Sequence, residues 1–118
     1  MAVSVVNKRK HVPTRNDFYI GRGSALGNPF THRELEETLA QYKCETREDA
    51  ISSYEKYVNE KIMKRDLRVC DELNRIFIAA KKGDVNLVCY CKPKSCHGDT
   101  IKRIIEEKLN LDSLKGIS

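Results

Sequence analysis

The sequence predicts a small α/β domain, a Rossmann-like layered fold in which a short, partly parallel sheet is flanked by helices. Two runs of β-branched and apolar residues, Val3–Val6 and Val85–Cys91, are typical of buried strands. Between and after these runs, apolar residues recur at the spacing of amphipathic helices. The 118 residues therefore predict one domain, 1–118, with residues 109–118 expected as a loosely ordered tail.

The remaining elements follow from local signals in chain order. A turn at His11–Asp17 leads into a short strand at Phe18–Ile20. The charge-rich segment Thr31–Tyr42 is expected as a helix, and Thr46 begins a capping box that starts another. The apolar positions that define this helix and the two after it are Ile51, Tyr54, Val58 and Ile62, then Leu73, Ile76, Phe77 and Ala80, then Ile101, Ile104, Ile105 and Leu109.

The charge of the chain favours an anionic partner. Lys and Arg number 22 against 17 Asp and Glu, a net charge of +5. Acids and bases are interleaved along the helical segments, so the compact basic run Asn7–His11 stands out. Five cysteines without a secretion signal indicate a reducing compartment, the cytoplasm, which is the host cytoplasm for a phage protein. No stretch is apolar enough to predict a membrane span.

The first segment whose residues could bind a ligand or take part in catalysis is Cys91–Asp99, between the clearest strand and the last helix. Ligands of open α/β sheets bind beyond the carboxyl ends of strands, where a helix N-terminus also offers amides to an anion. His97 and Asp99 are candidate acid–base groups, and Cys96 is a candidate nucleophile. In the alternative interpretation, the segment only forms a turn and starts a helix. Candidate ligand contacts here are Lys92 and Gly98.

A zinc site is a competing interpretation of the same segment. Cys89, Cys91, Cys96 and His97 are ligand types that zinc prefers. Their spacing matches neither C-x-x-C nor H-x-x-x-H, and adjacent Cys96 and His97 rarely bind one tetrahedral ion. We therefore expect no metal and no cofactor, with zinc left open as the alternative.

The second segment, Tyr19–Phe30, is rich in glycine. Its glycines can expose backbone amides, Arg22 can pair with a phosphate, and Asn28 can contact a base or sugar edge. The segment has neither a P-loop nor a dinucleotide fingerprint, and an ordered turn is the alternative interpretation. The candidate ligand contacts are Tyr19, Gly21, Arg22, Ser24, Gly27 and Asn28, together with Tyr90 from the last strand.

The two segments together carry a resemblance to a known family. The pattern G-R-x-x-x-x-G-N-P-F at 21–30, paired with C-x-P-x-x-C-H-G-D at 91–99, resembles domain of unknown function 4326, a family common in bacteriophages and bacteria. The resemblance extends from about Val5 to Glu107 and implies that the two segments meet at one site. The closing motif is also similar to the C-H-R ending of domain of unknown function 488, but Gly98 replaces its arginine, so an anion-binding role is not carried over.

These observations leave three functional hypotheses. The leading one is binding of a nucleotide-derived small molecule, as in a phage protein that sequesters a host immune signal, with Arg22 and the amides of 96–99 on phosphate. An alternative is a nucleotide- or nucleoside-processing hydrolase or transferase that uses His97 and Asp99, so whether the chain is an enzyme stays open. The third is a basic interaction protein that binds nucleic acid or a host protein through Lys8–Lys10. A homo-oligomer that completes the pocket is compatible with a domain this small.

Overall fold

The computed structural model describes residues 3–21, 23–31, 42–43, 46–90 and 97–117; at 30–31, 42–43 and 113–117 it describes the backbone alone. In the described part of the chain, four short strands are followed by two helices, a fifth strand and a third helix, so strands and helices share one α/β domain. The elements are β1 (Val3–Asn7), β2 (Asp17–Tyr19), β3 (Phe30–Thr31), β4 (Tyr42–Lys43), α1 (Arg47–Met63), α2 (Leu67–Lys82), β5 (Val85–Cys89) and α3 (His97–Ile117).

The main sheet has three parallel strands in the order β1-β5-β2. Leu87, in the centre of β5, lies opposite Val5 on one side and Phe18 on the other. Because all three strands run the same way, Asn7, Tyr19 and Cys89 end at one edge of the sheet. We call this the carboxyl edge, and the opposite side, where the strands begin, the amino edge. The predicted α/β class is confirmed.

The first two helices begin at side-chain caps. The Thr46 hydroxyl accepts a hydrogen bond from the Asp49 amide at 3.0 Å, which confirms the predicted capping box position. The Asp66 carboxylate does the same for the Val69 amide at 3.0 Å. The short α1–α2 connection includes Arg65 at φ 56°, a left-handed conformation that turns the chain back on itself.

The core lies between the sheet and the helices. Its fully buried members come from every major layer, and α3 packs against β1, β5 and α2. Burial of each large aliphatic side chain contributes about 1.5–3 kcal/mol relative to exposure. The largest fully buried side chains are Tyr54, Ile20, Leu26, Ile76, Leu87, Ile101, Ile105, Val58, Val85 and Cys89.

Several predicted boundaries differ from the structure. The ends of the expected helix Thr31–Tyr42 lie in β3 and β4, which pair in parallel, and residues 32–41 lie outside the described part of the chain. Where the sequence predicts a loosely ordered tail over 109–118, α3 continues as helix to Ile117. Strand β5 ends at Cys89. In the described ranges, none of the helices has the length and apolar character needed to cross a bilayer.

Candidate functional site

The chain segments that leave the sheet at its carboxyl edge remain side by side. The Lys8 amide donates to the Cys89 carbonyl oxygen at 2.8 Å, which extends the β1–β5 pairing by one residue. On the other side of β5, the Ile20 amide donates to the Val88 carbonyl oxygen at 3.0 Å. Lys8 and Ile20 therefore flank the end of β5, although 12 positions separate them in the sequence.

Two tyrosine rings stand at this edge. Tyr19 ends β2 and Tyr90 follows β5, and their rings meet edge to face with centroids 6.4 Å apart. Tyr19 is 40% exposed and Tyr90 49% exposed. Aromatic rings that remain this accessible at the end of a parallel sheet are suited to contact a flat ligand group by stacking.

Two basic side chains lie over the same rings. The Lys8 Nζ atom is 5.1 Å from the centre of the Tyr19 ring and 5.9 Å from that of Tyr90. The Arg9 Cζ atom is 5.6 Å from the centre of the Tyr90 ring. These are cation–π distances. In the described ranges, neither Lys8 nor Arg9 forms an ion pair with a carboxylate. We call Lys8, Arg9, Tyr19 and Tyr90 the aromatic edge.

Asn7 holds the basic turn against β5. Its side-chain oxygen accepts from the Arg9 amide at 2.9 Å, and its side-chain nitrogen donates to the Tyr90 carbonyl oxygen at 3.4 Å. Its own carbonyl oxygen accepts from the amides of Lys10 and His11 at 3.0 and 2.9 Å. Asn7 thus positions the backbone of the cations next to the residue that carries the second ring.

The glycine-rich loop uses several of its polar groups internally. The amide and hydroxyl of Ser24 both donate to the Gly21 carbonyl oxygen, at 3.1 and 2.6 Å. The Gly27 amide donates to the Ser24 carbonyl oxygen at 3.1 Å. Buried Asn28 donates to the Ala50 carbonyl oxygen of α1 at 3.3 Å. These three predicted ligand contacts therefore shape and anchor the loop; their contact with a ligand stays a prediction.

Gly21 permits the position of one ring of the aromatic edge. It is buried, and a β-carbon built on it would overlap the ring and hydroxyl of Tyr19. Any larger residue would force Tyr19 to another rotamer. The glycine is needed here for close approach rather than for an unusual backbone angle.

His97 joins the two predicted segments beneath this edge. It is the first residue of α3, it is buried, and its Nε2 atom donates to the Ile20 carbonyl oxygen at 2.5 Å. Because a carbonyl oxygen only accepts, Nε2 carries the proton. The His97 ring also packs edge to face on Tyr54, 5.0 Å between centroids, and the Tyr54 hydroxyl donates to the Leu26 carbonyl oxygen at 2.7 Å. His97 and Tyr54 together fix both ends of the segment 20–26.

The other predicted site residues divide into two groups. Asp99 lies half-buried in the first turn of α3, where a carboxylate stabilises the helix N-terminus, and Gly98 beside it is buried. Arg22, Lys92, Cys91 and Cys96 lie outside the described residues. Of the four residues considered for zinc, Cys89 and His97 are described and buried. The described ranges hold no group of three or more potential metal ligands.

The opposite, amino edge carries a polar network that sequence reasoning missed. The Asp17 carboxylate accepts from the Thr14 amide and hydroxyl at 2.9 and 2.8 Å, from His11 Nε2 at 3.0 Å and from the Asn86 side chain at 3.1 Å. Desolvation raises the pKa of Asp17, but these hydrogen bonds outweigh it and hold the pKa well below its usual range. The network closes the crossover between β1 and β2.

The position of Lys8 and Arg9 beside Tyr19 and Tyr90 was also not predicted from the sequence. A usable signal existed, because Lys8 lies two positions after the predicted first strand, Val3–Val6, and Tyr90 lies near the end of the predicted last one, Val85–Cys91. Residues that follow parallel strands meet at one edge of a sheet. For Tyr54, whose helical spacing indicates only burial, no sequence signal points to the loop it anchors.

Comparison with known proteins agrees with the motif resemblance and adds no activity. A search of curated proteins and a search of solved structures each found no match. The family described as a domain of unknown function (DUF4326) matches residues 3–107, which span β1 through the first half of α3 and include both motif segments. The chain therefore belongs to the DUF4326 family.

Proposed function

We propose that this protein binds a nucleotide-derived small molecule at the carboxyl edge of its sheet. The observation that carries the proposal is the aromatic edge: two exposed tyrosine rings, 6.4 Å apart, with the Lys8 ammonium within 6 Å of both. Exposed aromatic rings suit a base, and adjacent cations suit an anionic group. The end of a parallel sheet is also where ligands of open α/β domains bind.

The buried contacts below this edge support a preformed site. His97 bonds to Ile20, and Tyr54 bonds to Leu26, so the chain that follows Tyr19 is held at both ends. A site whose rings are already in place loses less conformational entropy on binding. Binding therefore needs no large rearrangement of the described residues.

The hydrolase or transferase alternative depends on His97 and Asp99 as acid–base groups. His97 Nε2 donates to a backbone carbonyl within the core, which gives this atom a structural partner. Asp99 lies in the first turn of the same helix. We therefore favour binding over turnover, and the catalytic roles of His97, Asp99 and Cys96 stay predictions.

The cellular setting is proposed with the function. A basic ligand-binding domain of this size fits a cytoplasmic protein, and in a phage it fits one that sequesters a nucleotide signal of the host. A homo-oligomer that completes the pocket is compatible with both.

The test is thermal stabilisation by a panel of ribonucleosides, ribonucleoside mono- and diphosphates and dinucleotides. A ligand at 100 times its Kd stabilises the folded state by about 2.7 kcal/mol, which raises the Tm of a domain this size by several degrees. Tyr90→Ala is expected to abolish the shift and Tyr90→Phe to retain it, since the ring makes the contact.

The matched control is Lys82→Ala at the end of α2, next to the amino edge. It removes one exposed positive charge far from the rings and should leave the Tm shift intact. Failure of every panel member to stabilise the wild-type protein overturns the proposal. A shift that persists in Tyr90→Ala places the ligand elsewhere.

A further inference from the structure

We infer that the ligand is a free nucleotide whose phosphate lies against the basic turn Lys8–Lys10, so that this turn belongs to the same site as the two tyrosines. The inference rests on the proposed function and specifies its ligand. Its starting point is the convergence of Lys8 and Arg9 on the rings of Tyr19 and Tyr90.

The turn is fixed rather than free to swing. The Lys8 amide is bonded to Cys89, and the Arg9 amide to the side chain of Asn7, which also bonds to Tyr90. The backbone that carries the cations therefore keeps a set position relative to the rings. Such positioning is what a preorganised anion site requires.

The local charge is of one sign. The three segments that meet at the carboxyl edge, Asn7–His11, Tyr19–Gly21 and Cys89–Tyr90, contain three Lys and Arg residues and no Asp or Glu. The carboxylate of Asp17, which begins β2, accepts hydrogen bonds from Thr14, His11 and Asn86. An added phosphate would meet positive charge without displacing a carboxylate, and charge-assisted contacts are the stronger kind.

The dimensions favour a single nucleotide over a polynucleotide. The two rings lie edge to face rather than in a row, so together they present one stacking position. Lys8 lies over both rings and Arg9 over that of Tyr90, rather than along a track. Proteins that bind single strands instead line a groove with successive aromatic and basic side chains over several nucleotides.

Calorimetric titration with the four ribonucleosides and their four 5′-monophosphates tests the inference. For the wild-type protein, at least one monophosphate is expected to bind about tenfold or more tightly than its nucleoside, an advantage that salt reduces by screening. In the double variant Lys8→Gln with Arg9→Gln, the ratio of monophosphate affinity to nucleoside affinity should fall to about one. Lys82→Gln, which also neutralises an exposed lysine, should retain it.

The possible results distinguish failure of this inference from failure of the proposed function. Equal affinity of the wild-type protein for nucleoside and monophosphate would overturn the phosphate contact and leave nucleotide-base binding standing. Absence of binding by all eight probes, together with failure of every member of the thermal-stabilisation panel, would overturn both. Tighter binding of an oligonucleotide of about ten residues than of any monophosphate would overturn the free nucleotide and make the basic turn a nucleic-acid contact.

Discussion

At the amino edge of the parallel sheet, the charge of Asp17 is surrounded by four hydrogen bonds, whereas at the carboxyl edge the charges of Lys8 and Arg9 face two exposed rings. The first arrangement is complete without a ligand, and it closes a crossover. The second leaves positive charge and aromatic surface accessible together. Polar residues at the two ends of one sheet thus serve stability in one case and, under the proposed function, ligand recognition in the other.

A third group of polar side chains lies beneath the carboxyl edge, and its hydrogen bonds stabilise the fold as those of Asp17 do at the amino edge. His97 and Tyr54 are buried, and each donates to a backbone carbonyl of the segment 20–26. His97 stands in the closing motif at 91–99, and its contacts to Ile20 and Tyr54 stabilise the fold. Substitutions that separate stability from binding can test this division.

The largest expected effect is that of His97→Ala. It removes a buried ring and leaves the Ile20 carbonyl oxygen without its donor, which should lower the free energy of unfolding by about 2–4 kcal/mol. Urea denaturation measures this loss. His97→Gln, whose amide can donate to the same oxygen, should lose less than half as much. An alanine variant as stable as the wild type would contradict the structural role.

Next in size is Asp17→Ala, which should lower the free energy of unfolding by about 1–3 kcal/mol because several donors lose their acceptor. The lowered pKa of folded Asp17 means that its contribution is full above the ordinary pKa of 3.8 and declines as the pH falls below that value. The difference in free energy of unfolding between the wild type and Asp17→Asn should therefore be constant above about pH 5 and shrink progressively as the pH falls below about 4.

Ligand affinity shows whether a substitution at the amino edge affects the carboxyl edge. Nucleotide affinity of Asp17→Ala, measured where the variant is folded, should equal that of the wild type. A large loss of affinity would show that the two edges are coupled and would contradict the division between a stabilising amino edge and a binding carboxyl edge.

The smallest expected change in stability accompanies Gly21→Ala. The new methyl group would displace the Tyr19 ring, a flexible side chain, so the Tm should change little. Affinity for the nucleotide found in the panel should fall by about tenfold, since one stacking ring is lost. Calorimetric titration measures this fall.

A double-substitution cycle sharpens the result. In a Tyr19→Ala background, Gly21→Ala should have no further effect on affinity, because the ring that it displaces is absent. Additive losses from the two substitutions would show that Gly21 contacts the ligand directly.

Much of the architecture was predictable from local patterns. Helical spacing identified α1, α2 and α3, and Thr46 marked the start of α1, because caps and amphipathic faces depend on near neighbours in the chain. The apolar run at 85–89 identified the central strand for the same reason. The expected helix Thr31–Tyr42 was less successful, since its ends pair as β3 and β4.

The candidate site was predictable only in part. Tyr19 and Gly21 were singled out as part of the glycine-rich segment and Tyr90 as part of the predicted last strand, and both motifs indicated the DUF4326 family. Lys8 and Arg9 were assigned to a separate basic face. They lie some 80 positions from Tyr90 along the chain. Their contact with its ring was not predicted, because it depends on which strands pair.

The sequence by itself determined the α/β class, the family and most element positions, since these depend on periodicity, caps and short motifs that act locally. Tertiary structure alone decided that β1 and β2 flank β5, that His97 donates to Ile20 and that Lys8 lies over Tyr19 and Tyr90. The physical reason is that apolar patterns show which residues are buried but not which strand lies beside which. Parallel pairing brings together chain ends that local patterns treat as independent.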